Sequence, residues 1–201
     1  MAETSYATVA QLKAQLTIAT DDTSRDDDLA RVLAATSRGI DDATGRRFWL
    51  DDAPVPRVVG LLGRTLADAD GDRLLVRDIG SLDGLVVETG RAGSWSDVTA
   101  GVEPDPPDAL DEGKPITSLL LVSSRWPAGG GQRARITARW GYPAVPGPIA
   151  EATLIQATRL YKRKDSPEGV MGSAEWGVVR ISRRDPDVWA LIEKYILDGF
   201  A

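Results

Sequence analysis

The chain has 201 residues, 30 Asp and Glu against 24 Lys and Arg for a net charge of −6, and neither cysteine nor histidine. The missing cysteines exclude a disulfide framework and thiolate chemistry, and the missing histidines remove the usual general base, the Ser-His-Asp arrangement and the commonest metal ligand. At 42% hydrophobic and 27% charged residues the composition is that of an ordinary globular protein, and the negative balance argues against broad, non-specific nucleic-acid binding.

The start, MAETSYATVAQLK, has neither a basic leader nor an apolar core, so no signal peptide is expected. The longest apolar run, Leu119 to Val122, is too short to span a bilayer, and a soluble cytoplasmic protein without membrane contact is the default expectation.

Thr8 and Gln11 form a T-x-x-Q capping box, with Val9, Leu12 and Leu16 following on one face, which predicts a first helix ending near Thr17. Ser24 is placed to cap a second helix whose first turn holds Asp26, Asp27 and Asp28. Leu29, Val32, Leu33, Thr36, Ile40 and Ala43 continue it at helical spacing, and Gly45 supplies a left-handed end.

From about residue 50 to 145 the period changes to two. Strands are expected at 57–62, 73–77, 85–89, 118–123 and 133–140, the last two joined as a hairpin through the glycine-rich loop 126–132. The acidic, proline-rich stretch between Gly90 and Pro115 reads as a long surface loop.

The stretch 146–172 then predicts a central packing helix. Pro148 fits its first turn; Ile149, Ala152, Leu154, Ile155, Ala157, Leu160 and Tyr161 form a wide apolar face; Arg159, Lys162, Arg163 and Lys164 complement the dipole at its end. Residues 177–182 suggest a strand. Asp185-Pro186 opens a last helix with Val188, Leu191, Ile192, Tyr195 and Ile196 as its stripe, Trp189 off the stripe and Phe200 beyond it. The fold class expected is α+β: a helical bundle of two N-terminal helices, a central helix and a C-terminal helix (1–49 and 146–201), with an inserted antiparallel β domain (50–145).

Several motifs reduce to structural roles. Asp68-Ala69-Asp70-Gly71-Asp72 resembles a calcium loop, but the twelfth position, where an EF-hand needs glutamate, holds Ile79. A turn between strands is the reading. Gly129-Gly130-Gly131 lacks the Lys-Ser/Thr of a phosphate loop. The adjacent carboxylates Asp41/Asp42 and Asp26–Asp28 point in different directions on a helix and define no acid–base pair. No catalytic residue, metal site or cofactor is expected.

Across residues 159–184, Arg159, Lys162, Arg163, Lys164, Arg180, Arg183 and Arg184 stand against Asp165, Glu168 and Glu175, a local positive excess in an acidic chain. Dipole complement and a solvated strand edge explain it; a surface facing DNA or an acidic partner is the functional alternative. Trp189 and Phe200 lean toward an interface, because aromatics are enriched there.

Four runs, taken in order, carry a resemblance: TVAQLKAQL at 8–16, DDDLARVLAATSRGIDDATGRRF at 26–48, WGYPAVPGPI at 140–149, and RLYKRKDSPEGVMG at 159–172. Together they resemble the head-to-tail connector (adaptor) family of long-tailed bacteriophages, directly over about half the chain. TGRRF and LYKRKDSPEG are the specific parts, while the β middle matches only in style. The resemblance implies a structural protein rather than an enzyme, a helical bundle that assembles into a ring, commonly twelvefold, beneath the portal of the filled capsid.

Such a ring extends the channel for genomic DNA, without sequence-specific binding, and presents a surface to the stopper or tail. It lies in the virion neck, with assembly in the host cytoplasm. Portal contact is expected from Trp189, Ile192, Tyr195, Ile196 and Phe200. The basic cluster is expected in the channel or between subunits, and Asp26, Asp27 and Asp28 on an acidic inter-subunit face. The β insertion, larger than in minimal members, either decorates the ring's outside or enlarges subunit contacts. The alternatives are another neck or tail-completion protein of the same phage, a DNA-binding accessory protein, and a carboxylate-dependent hydrolase.

Overall fold

The computed structural model describes residues 5–127, 129, 131–163 and 185–197, together with the backbone of 170–171 and 179–180. It is an α+β structure of four helices and a large antiparallel sheet, and it divides into two compact units: residues 1–46 with 145–201, and residues 47–144.

The first unit holds α1 (Val9–Leu16), α2 (Asp26–Thr44), α3 (Gly147–Arg163), the short strands β8 (Val170–Met171) and β9 (Val179–Arg180), and α4 (Pro186–Ile192) with a 3-10 turn over Glu193–Tyr195. Thr8 and Gln11 close the capping box, and Thr17 ends α1 in the left-handed region at φ 58°. Gly45 ends α2 at φ 68°, its N–H donating to the Asp41 carbonyl. The Ser24 cap is a correction: the residue before α2 is Arg25, which makes no side-chain cap. Ser24 is diverted because its N–H and hydroxyl both donate to the Asp22 carboxylate, at 3.0 and 2.5 Å.

Helices α1, α2 and α3 meet over Leu12, Leu29, Leu33, Leu154, Ala157 and Tyr161, all buried. Each buried leucine contributes about 1.5–3 kcal/mol relative to exposure. Two of the buried hydroxyls on these helices are satisfied locally. Ser37 donates to the Leu33 carbonyl and accepts from the Tyr6 N–H, and Thr153 donates to the Ile149 carbonyl. Lys13, almost wholly buried, ends against Asp26 at 2.5 Å.

The second unit holds β1 (Val55–Gly60), β2 (Thr65–Ala67), β3 (Gly71–Arg91), β4 (Ser94–Asp97), β5 (Val102–Asp105), β6 (Ile116–Val122) and β7 (Arg133–Trp140), in the order β1-β7-β3-β6-β5. The expected strands at 73–77 and 85–89 prove to be the two halves of one 21-residue strand, β3. Its first half pairs with β2 and β6, its second with β7 and β4. Register shifts between Leu75 and Val86 let it bend and change partners without ending.

The expected hairpin through 126–132 is also corrected. β6 and β7 each run antiparallel to β3, which lies between them, so they point the same way and no hairpin can join them. The stretch expected as a long loop contains β4, a 3-10 turn at Thr99–Gly101 and β5, because Val98, Val102 and Leu110 pack against the sheet's core. β1 starts and ends two residues earlier than expected. Asp68–Asp72 makes the turn from β2 into β3, with the Asp68 N–H on the Gly71 carbonyl and its carboxylate on Arg73.

β7 alternates as its sequence predicts. Ala134, Ile136, Ala138 and Trp140 are buried with Leu74, Ile79, Val87, Ile116 and Leu119. On the opposite face Arg135 grips Glu88 through two bonds of 2.5 Å while its guanidinium carbon lies 4.9 Å over the Trp95 ring. The two hydrogen bonds hold the Glu88 carboxyl below its ordinary 4.5. A lowered folded value gives stability that is present above the unfolded value and is lost as pH falls through the folded one. Denaturant unfolding from about pH 7 down to about pH 3 is therefore expected to show a steeper acid loss in the wild type than in Glu88→Gln. Identical profiles would remove this pair from the pH dependence.

Candidate functional site

A groove of about 380 Å³ opens within the helical unit, between α2, α3 and α4. Local sequence builds each wall. On α2 the small residues Ala35, Gly39 and Ala43, four apart, fall on one line and leave the helix backbone accessible. A Cβ added at Gly39 would meet nothing within 4 Å. Below them Thr36 is buried, and its hydroxyl has no hydrogen-bond partner among the described residues. α3 contributes Gln156 and Leu160, the latter 40% exposed although it continues that helix's apolar face.

The third wall is α4, and its start is firmly set. The Asp185 carboxylate accepts from the Asp187 and Val188 N–H groups, Pro186 occupies the first turn, and Arg159 reaches from α3 to pair with Asp185. This cap aims Val188, Trp189 and Ile192 into the groove, Val188 and Ile192 buried and Trp189 half-buried. The chain beyond α4 is tied down as well. Arg46 donates from Nε to the Tyr195 carbonyl at 2.8 Å, and the Leu197 N–H donates to the Thr44 carbonyl at 2.9 Å.

The result is an apolar cleft with a bare helix backbone along one side and one unsatisfied hydroxyl in its floor. Among the described residues that line it, no acid and base converge. Among the described residues no group of three or more acidic side chains gathers as metal ligands would.

Of the residues expected to form a contact surface, Trp189 and Ile192 are brought together in the groove. Tyr195 and Ile196 lie just past it, both half-buried, with the Lys194 ammonium 5.1 Å over the Tyr195 ring. Phe200 lies outside the described residues. In the basic cluster Arg159 is spent on Asp185, whereas Lys162 and Arg163 are exposed at the end of α3. Arg180 falls on β9, where its backbone pairs with Val170, and Lys164, Arg183 and Arg184 lie outside the described residues. In the acidic turn Asp26 meets Lys13 and Asp28 meets Arg31 at 3.0 Å, so only Asp27 is fully turned outward. The sequence reading placed Ala43 on the apolar stripe of α2 and passed over Ala35 and Gly39; the four-residue spacing of the three was the available signal.

No protein-family model matches the chain, and no curated protein matches it. Solved structures do. A chain of "Neck of empty GTA particle computed with C6 symmetry" is similar with a TM-score of 0.58 at 20% identity, over 95% of this chain and 91% of that one. A chain of "Virion of native gene transfer agent (GTA) particle" gives 0.53 at 18% identity over the same shares. A third, from "Neck of native GTA particle computed with C12 symmetry", gives 0.50 at 18% identity over the same shares. At these identities the likeness is one of fold, and it runs through nearly the whole of both chains.

Proposed function

We propose that the chain is a structural component of a phage-like virion neck: a head-to-tail adaptor whose helical bundle forms a ring beneath the portal. The ring prolongs the DNA channel and joins the capsid to the stopper or tail. The observation that carries this reading is the fold likeness over 95% of the chain to chains of virion and neck particles. The four sequence runs resembling the adaptor family support it from a separate direction. The C6 and C12 symmetries in the names of two neck structures agree with a ring of identical subunits, twelve in the proposed form.

In this reading the groove receives a helical segment of the portal, with Trp189 and Ile192 as apolar anchors and Tyr195, Ile196 and Phe200 extending the contact. Lys162, Arg163 and the rest of the basic run face the channel or a neighbouring subunit, and Asp27 belongs to the acidic face of α2. DNA passes without being read, and the chain does no chemistry.

The test is particle mass, alone and mixed with the portal encoded nearby, followed by negative-stain imaging. A ring, or a monomer that joins the portal stoichiometrically, supports the adaptor. A monomer that ignores both portal and filled heads but binds free tails would replace it with a tail-completion protein.

Gly39→Phe separates the groove from the fold. The added Cβ enters open space, and replacing a mid-helix glycine does not cost helix stability, so the unfolding midpoint is expected to hold. Portal capture is expected to weaken by at least about tenfold. Undiminished capture would move the portal contact elsewhere.

A further inference from the structure

The sheet unit carries opposite charges at the two ends of one strand. Immediately before β6, residues 106–113 form a turn held by the buried Ala109, and from it Asp108, Asp111 and Glu112 are exposed. Glu112 is met by Lys114 at 2.5 Å, whereas Asp108 and Asp111 make no ion pair among the described residues.

Just after β6 the chain enters a cleft of about 960 Å³ lined by Arg125, Gln132 and Arg133, with Arg91 reaching the same loop beside Gly131. Arg125 and Arg133 are exposed and make no ion pair among the described residues. Among the described residues of the lining, Asp72 is the one carboxylate, and it is buried. On the adjoining β2–β3 turn Asp68 is held by Arg73, and Asp70 is exposed. The cleft therefore keeps a positive excess. Leu62, 99% exposed, stands at its lip as an apolar contact.

β6 itself separates these two surfaces. Its seven residues span roughly 20 Å, about twice the screening length at physiological salt. The acidic turn and the arginine cleft of one chain thus gain little from each other, while a turn from one copy can enter the cleft of the next. Two unlike, complementary patches on one chain are what a head-to-tail interface requires, and repeated by rotation they close a ring.

We propose that the arginine cleft of the sheet unit receives the acidic turn 106–113 of a second copy, so that the β insertion makes a subunit–subunit contact in the assembled ring. This rests on the ring reading above. Charge complementarity favours another copy as the occupant: the turn offers carboxylates, and the cleft offers two guanidinium groups and an exposed leucine.

The experiment uses two full-length variants, Arg125→Glu with Arg133→Glu, and Asp108→Arg with Asp111→Arg, under conditions where the wild type assembles, alone or on the portal. All four positions are exposed, so both variants are expected to keep the wild-type unfolding midpoint. Each alone is expected to lose at least tenfold in assembled fraction, because its cleft and turn now carry the same sign. Mixed in equal amounts they are expected to reassemble as an alternating ring, since the reversed cleft attracts the reversed turn.

Assembly of either variant at the wild-type level, or a mixture of folded variants that stays monomeric, would overturn the contact. So would a cleft variant that assembles normally but loses a wild-type, salt-sensitive retention on sheared DNA, which would assign the cleft to phosphate. A wild type that never assembles, alone or with portal, removes the ring reading and this contact with it.

Discussion

Trp140→Ala is expected to destabilise the sheet unit by about 3–5 kcal/mol, the range for truncating a large buried aromatic. Trp140 is 1% exposed and packs in the core with Ile79, Ile116 and Ile136. Its indole N–H donates to the Val55 carbonyl at 2.7 Å, and the Arg57 guanidinium carbon lies 4.6 Å over its ring. Arg57 needs that face. Burial, followed by the proximity of Arg47, already pushes its charged form down, with Asp51 offsetting part of the effect. Removing the indole leaves a cavity, takes a hydrogen bond from the Val55 carbonyl and leaves a cation without its aromatic partner. Against a total stability of roughly 5–15 kcal/mol this is a large share. Urea unfolding followed by far-ultraviolet dichroism is expected to show a lower midpoint at unchanged slope. A midpoint within about 1 kcal/mol of the wild type would mean that the core closes over the gap.

Gly141→Ala, one residue on, is expected to be comparably severe through the backbone. Gly141 holds φ at 110°, and a Cβ there would lie 1.8 Å from the Trp49 carbonyl oxygen. Neither atom can swing aside, because Gly141 also donates its N–H to the Asp78 carbonyl at 2.9 Å. The cost is expected to exceed about 3 kcal/mol, from the disallowed dihedral together with displacement of one backbone segment by another. Gly39, with open space around it inside α2, is the opposite case. A thermal midpoint of Gly141→Ala equal to that of the wild type would show that the 49–51 segment yields easily.

The features legible in the sequence were those fixed by near neighbours. The Thr8–Gln11 box, the left-handed end at Gly45 and the Asp185-Pro186 start depend on residues within one turn, so the letters suffice. β7 was legible because one of its faces is buried and the other is not. β3 was not, since it read as two separate strands at 73–77 and 85–89, while what keeps the strand going is pairing with β6 on one stretch and β7 on the next. Partners so distant in sequence leave no local mark. In the groove, the large side chains Trp189 and Ile192 stood out, whereas Ala35 and Gly39 line it by what they lack. The diversion of Ser24 to Asp22 turned on a competition between two hydrogen bonds that either pattern permitted.

The helical unit is assembled from residues on both sides of the sheet unit, and this sets an order for synthesis. At about 5–20 residues per second, roughly 5–20 s pass between the emergence of α2 and that of α3. During that interval Leu29, Val32 and Leu33 have α1 beside them but lack Leu154, Ala157 and Tyr161. The sheet unit, continuous in sequence, can fold in the meantime. The nascent chain thus carries a finished β unit and an unfinished helical one, and its apolar helix faces are exposed to chaperones and to neighbouring chains on the same message.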